Sequence, residues 1–336
     1  MSDLYVVGGR QREARRMFAD ERTWYEYECG VLQRVNGVTG QVRTELEYVS
    51  PPGTVVDEDP QVLFKSATLA DGRLYACTQT EVMVFSVPEM EQTTHISLPC
   101  FNDVHHVRPM PSGNLLVANS GLDMCLELAL DGTVVHEWST LGEDPWARFS
   151  RDIDYRMGIS TKPHASHPNH VFLLGDEPWA TRFEQRDAIS LLDPSRRIDI
   201  GLERIHDGVV AGGKIWFTTV DGKVVVADPG SLVVEEVIDL TEMHDDSTLL
   251  GWCRSIHFAD EGAWIGFSRI RPTKLRQNVG WVARGFKRDS ATHIALYDLA
   301  GRTLVREIEL ESHGLSAVFS ILPAPAPAAA EASAAA

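Results

Sequence analysis

The sequence lacks any cysteine arrangement that would staple a fold. Its five cysteines (Cys29, Cys77, Cys100, Cys125, Cys253) are odd in number, widely scattered and without a C-x-x-C pair. That excludes a disulfide framework or a zinc ribbon and leads us to expect reduced thiols in a cytoplasmic protein. No apolar run is long enough to span a bilayer. The opening residues, MSDLYVVGGRQREARRMF, lack the basic, then apolar, then small-residue order of a secretory signal. Positive charge is scarce as well: the formal net charge is −17, which repels nucleic acid and anionic membrane surfaces and argues against either as a partner. Also missing are G-x-S-x-G, a P-loop, a dinucleotide fingerprint and H-E-x-x-H. The Gly8-Gly9 pair is too slight a signal for a nucleotide site.

What the 336 residues do contain is 43% hydrophobic side chains, arranged in a repeating plan. An apolar strand, a Gly turn, a second apolar strand, a short turn and two alternating strands recur along the chain. The clearest copy begins Asp103-Val-His-His-Val and ends Thr133-Val-Val-His-Glu-Trp; others run Val62 to Leu98, Asn169 to Ile200, Ile205 to Ile238 and Trp252 to Leu310. β-Branched enrichment, period-two alternation and turn dipeptides mark these segments as strands. Four-stranded units repeated at this spacing predict an all-β fold, a β-propeller. Residues 4–49 supply three strands without an opening one, and Leu315-Ser-Ala-Val-Phe-Ser-Ile-Leu supplies one strand with nothing after it. Pairing the two chain ends gives a count of six blades, with five or seven left open by the long unit around residues 140–200, in a single domain, residues 1–322. Residues 323–336, PAPAPAAAEASAAA, offer no core-forming side chain and are expected to be a disordered tail.

Within this plan a histidine recurs near the start of the innermost strand: in Asn102–Val107, His167–Phe172, Arg204–Val209, Arg254–Phe258 and Ser312–Ala317. Imidazoles from separate blades converging on the axis would form a metal site, each giving one nitrogen lone pair. The expected ligands are His105, His170, His206, His257 and His313, with His106 and His167 as substitutes, because period-two geometry allows only one of two adjacent histidines to face the axis. The second unit, Val62-Leu-Phe-Lys-Ser, has no histidine and would leave an open sector for substrate. An all-imidazole site suits iron, manganese, zinc or copper and not calcium or magnesium. Asp103, Asp176, Glu177 and Asp207 are placed to orient the rings or to act as a general base. His105, His106, Asp207 and Glu177 are therefore the expected catalytic residues.

Three long insertions, Gln11–Thr23, Leu141–Ser166 and Arg269–Ser290, fall in loops that a propeller presents on one face. The last carries Arg271, Arg276 and Trp281 among several further cations. Together with Arg254 and with Arg182 of Asp176-Glu-Pro-Trp-Ala-Thr-Arg-Phe183, they are the expected contacts for a small anionic substrate.

The stretch NDVHHVRPMPSGNLLVANSGLDMCLELALDGTVVHEW, residues 102–138, resembles one blade of the arylsulfotransferase-like and NHL-type propellers. By that likeness His105 or His106 would be a nucleophile in a metal-free transfer. The histidine pattern is similar to that of metal-dependent propeller enzymes such as carotenoid oxygenases and oligogalacturonate lyases. Three expectations follow. The first is a metal-dependent lyase, isomerase or hydrolase; the second a metal-free transferase or cyclase; the third a protein-binding propeller.

Overall fold

In the computed structural model, which describes residues 3–13, 26–157, 161–245, 248–270 and 288–326, six four-stranded antiparallel sheets stand around one axis. The innermost strands are Ala317–Pro323, Ser66–Ala70, Val104–Pro109, Pro168–Leu174, Ile205–Ala211 and Trp252–Ala259, belonging to blades one to six. Each contacts the next, and the last returns to the first. Blade one is built from both ends of the chain: Ala317–Pro323 pairs with Asp3–Gln11, which pairs with Tyr27–Asn36 and then Val42–Tyr48. The junction is tight. A Cβ on Gly8 would stand 1.7 Å from the Ala317 carbonyl oxygen, so only glycine lets the closing strand pair there. The structured chain runs past the expected start of the tail: Ala324 N–H donates to the Asp3 carbonyl, and Arg34 to the Pro325 carbonyl. Residues 327–336 lie outside the described residues.

Alternating side chains from facing sheets fill the gaps between blades. Phe172, Ile205, Phe217 and Trp179 seal blades four and five, while Val224, Phe267 and Tyr297 help seal five and six. Fully buried faces of this kind, each large side chain removing apolar area from water, hold the ring together.

The innermost strands are not regular. Five of the six pair with their neighbours through a register shift, which leaves Phe319, His105, Asn169, Asp207 with Gly208, and Ser255 as the extra residues; only Ser66–Ala70 pairs without one. Asp207 and Ser255 adopt positive φ, 66° and 64°. A bulge inserts one residue and breaks the alternation. The rule that adjacent histidines face opposite ways therefore fails at this point, and His105 and His106 both line the axial cavity.

Candidate functional site

The axial cavity is lined by two sets of side chains. Lys65, His105, His206, Arg254 and Phe319 form one, and Ser66, His106, Asn169, His170 and Asp207 the other. At its mouth the loop entering blade four brings His164 and His167 beside Asp103. One donor atom from each of these three residues lies within 4.8 Å of the other two. Asp123 builds this loop. Its buried carboxylate accepts the N–H groups of Ala165 (2.9 Å), Ser166 (2.8 Å) and His167 (2.8 Å) and pairs with Arg148 at 2.6 Å. His164 Nδ1 and His167 Nδ1 face each other at 2.6 Å. Two lone pairs cannot meet so closely, so one nitrogen carries a proton and donates to the other. His164 Nε2 is buried without a partner.

Lys65 fills the sector that was expected to be open. Its ammonium lies 3.0 Å from Asp103 Oδ1 and 3.4 Å from His105 Nε2. Burial pushes the Lys65 amine below the ordinary lysine range, with Lys162 and Arg254 adding to the effect and Asp103 opposing it. Against the cost of its own burial, Asp103 is held well below the usual carboxylate range by Lys65. His105 Nδ1–H donates to the Asp103 carbonyl at 2.7 Å, which fixes the tautomer and leaves Nε2 as an acceptor. Burial, reinforced by Lys65, pushes His105 down to about 3; burial likewise holds His106, His167 and His206 well below 6.5. These imidazoles are neutral at pH 7, the state in which they ligate metals or accept protons.

The deeper wall carries a mismatch. Asn169 Nδ2 donates to the Ile205 carbonyl at 2.7 Å and also points at His206 Nδ1, 3.0 Å away. The Trp252 indole N–H points at His206 Nε2 from 3.4 Å. A neutral imidazole has one lone pair, so two donors compete for a single acceptor. Asn169 Oδ1 is buried without a partner. The Arg254 guanidinium lies over the Phe319 ring at 4.2 Å and the Trp252 ring at 5.3 Å. The wall is thus rich in donors and positive charge, the surroundings that bind an anion. Asp207 is the exception: buried, accepting from the Thr218 hydroxyl, and pushed up to about 6 by burial. Further along the axis the His106 and His170 rings meet at a tilt of 37° with centroids 3.8 Å apart, beside Arg108.

Several residues picked from the sequence lie elsewhere. His313 sits exposed on the turn before the closing strand, its carbonyl accepting from Gln33; the axial position of blade one belongs to Phe319. His257 pairs with Trp264 beyond the bulge of blade six and has Glu261 as its charged neighbour. Neither joins the ring of imidazoles expected at the axis. Asp176 lies in the hairpin turn at the other end of blade four and Glu177 just after it, where Glu177 binds Ser190 and Arg196. Arg182 is committed to Asp187 through two bonds, at 2.7 and 2.5 Å, and to the Thr140 carbonyl. Arg271, Arg276 and Trp281, with most of the Gln11–Thr23 and Arg269–Ser290 insertions, lie outside the described residues. Lys65 occupies what is a gap in the histidine pattern of the sequence, and His164 lies outside that pattern although His164, His167 and His170 recur at every third residue.

No protein-family model matches the sequence, and no curated protein matches it. Solved structures do share the fold. A protein of unknown function from Bacteroides caccae superposes with a TM-score of 0.62 at 14% identity, over 96% of this chain and 98% of that one. A streptogramin B lyase gives a TM-score of 0.47 at 12% identity, over 91% and 88%. Likeness at these identities concerns architecture alone.

Proposed function

We propose that this propeller is an enzyme that holds a divalent transition-metal ion on Asp103, His164 and His167 and acts on a small anionic substrate in the axial cavity. One observation carries the reading. A buried carboxylate and two imidazoles bring three donor atoms within 4.8 Å of one another at the mouth of a cavity rich in donors and cations. A mixed set of two imidazoles and one carboxylate suits zinc, manganese or iron, and three protein ligands leave coordination positions open for substrate. When bound, the ion would polarise a carbonyl or carboxylate oxygen.

The chain's own groups supply the rest. Lys65, Arg254 and the Trp252 N–H hold the substrate's negative charge. His105 Nε2, an acceptor with its tautomer fixed, is the candidate base. Asp207, with its carboxyl raised to about 6, is the candidate acid, because a group poised near neutrality can give up a proton at working pH. This division of roles fits elimination, isomerisation or hydrolysis.

One observation favours a metal-free alternative: the Lys65 ammonium already neutralises Asp103 at 3.0 Å. In that case His105 or His206 would act alone as nucleophile or base. Metal analysis of protein purified without chelator separates the two readings. The metal reading expects about one equivalent at this triad, and that equivalent is lost on His164→Ala/His167→Ala with the circular dichroism unchanged. Wild-type protein without metal that cannot be reconstituted would refute it.

A further inference from the structure

The inner end of the axial strands carries a cation with nothing to neutralise it. The innermost strand of blade three, Val104–Pro109, runs inward from Asp103 at the mouth and places Arg108 two residues beyond His106. Past the bulge this strand alternates regularly. His106 stands opposite Ala118 and Arg108 opposite Leu116, and both partners face the core between blades three and four. Residues paired in this way share a face, so Arg108 and His106 extend to the same side, toward His170 of blade four.

Arg108 is partly buried, and its Nε is shut off from water without a partner. Among the described residues, no hydrogen bond or ion pair engages this guanidinium. Other partly buried guanidinium groups are paired: Arg34 with Asp3 and Glu45, Arg156 with Asp154, Arg182 with Asp187. Acids outnumber bases by 48 to 31 in this chain, so the vacancy is not a shortage of carboxylates. A charge buried without a partner is costly, and a bound counter-ion removes that cost.

The neighbouring imidazoles add a donor. The Val171 N–H points at His106 Nδ1 from 3.5 Å, so Nδ1 keeps the lone pair and Nε2 carries the proton. His106 and His170 both line the axial cavity, and Arg108 adds to the burial that keeps both neutral. A guanidinium fork beside an imidazole N–H, with no acid opposing it, is a receptor for an oxyanion.

We propose that Arg108, His106 and His170 form a second anion subsite, further along the axis than Lys65 and Arg254, and that the substrate is a compound with two acidic groups. The inference rests on the axial cavity being the substrate site and narrows the class that it takes. Lys65 and Arg254 hold one acid near the mouth; Arg108 selects for the other.

The test is calorimetric titration of the full chain with a series of linear dicarboxylates and with monocarboxylates of matching length. Wild type, Arg108→Gln and Arg108→Lys are compared, with circular dichroism to confirm folding. The expected result is a dicarboxylate that binds the wild type at least about tenfold tighter than its monocarboxylate. Arg108→Gln should lower that dicarboxylate to the level of the monocarboxylate, and Arg108→Lys, which keeps the charge without the fork, should retain part of the advantage. No advantage at any length, or an advantage that survives Arg108→Gln, would overturn the second subsite. Failure of the underlying reading looks different: if the cavity takes no anion, the wild type binds neither series. Protein without metal that still prefers the dicarboxylate would lose the metal and keep the diacid.

Discussion

Two buried carboxylates show opposite uses of the same expensive group. Glu81, fully buried between blades one and two, accepts from Tyr48 (2.7 Å), Ser50, Thr54 (3.2 Å), Thr78 (3.0 Å) and His95 (2.8 Å). Every lone pair has a donor, and the donors come from the linker and both blades, so the carboxylate knits the junction. At the axis the balance fails. Asp207 is raised to about 6, His206 sits between two competing donors, and Asn169 Oδ1 has no partner. A saturated polar network stabilises; a mismatched one stores the cost of burial until a ligand relieves it.

Stability measurements probe that contrast first. By denaturant unfolding, Glu81→Ala should cost about 3–5 kcal/mol, because several buried donors lose their acceptor. Asn169→Ala should cost no more than about 1 kcal/mol, since its oxygen is already unsatisfied. Equal losses would erase the distinction. Next in size is a pH effect at Asp207. Its folded pKa lies above that of the unfolded chain, so between about pH 4 and pH 6 the native state binds the extra proton. Stability from this group is therefore full below about pH 4 and lost as pH rises through 6. Asp207→Asn should remove that slope and raise stability at pH 7 by up to about 3 kcal/mol. A difference between variant and wild type that does not vary with pH would contradict the assignment.

Smaller effects sharpen the map of the axis. Arg254→Gln should weaken binding of inorganic phosphate, followed calorimetrically at low salt, by about tenfold. Unchanged affinity would mean that this guanidinium serves packing on Phe319 and Trp252 alone. Smallest of all, His313→Ala and His257→Ala should each change stability by less than about 0.5 kcal/mol and leave metal content intact. Loss of metal in either variant would make that histidine a ligand.

The architecture was legible because it rests on local signals: alternation, Gly turns and the unpaired strands at the two chain ends. The site was only partly so. His105, His106, His170, His206, Asp207 and Arg254 mark the entrances to innermost strands, and all of them line the cavity. The choice between His105 and His106 went astray because a bulge has no composition of its own; it is a mismatch with the neighbouring strand, invisible along one. Lys65 has no counterpart among the recurring imidazoles, because the axis mixes them with ammonium and guanidinium groups. His164 sits in a loop outside any strand alternation, held by an Asp123 that is forty-one residues earlier in the chain.

Zinc-edge anomalous diffraction from crystals grown with Zn²⁺ tests the central claim most directly. The account predicts an anomalous peak about 2.1 Å from a nitrogen of His164, a nitrogen of His167 and an oxygen of Asp103, with Lys65 displaced from the carboxylate. A crystal in which that position stays empty at saturating Zn²⁺, with the Lys65–Asp103 pair intact, would contradict it.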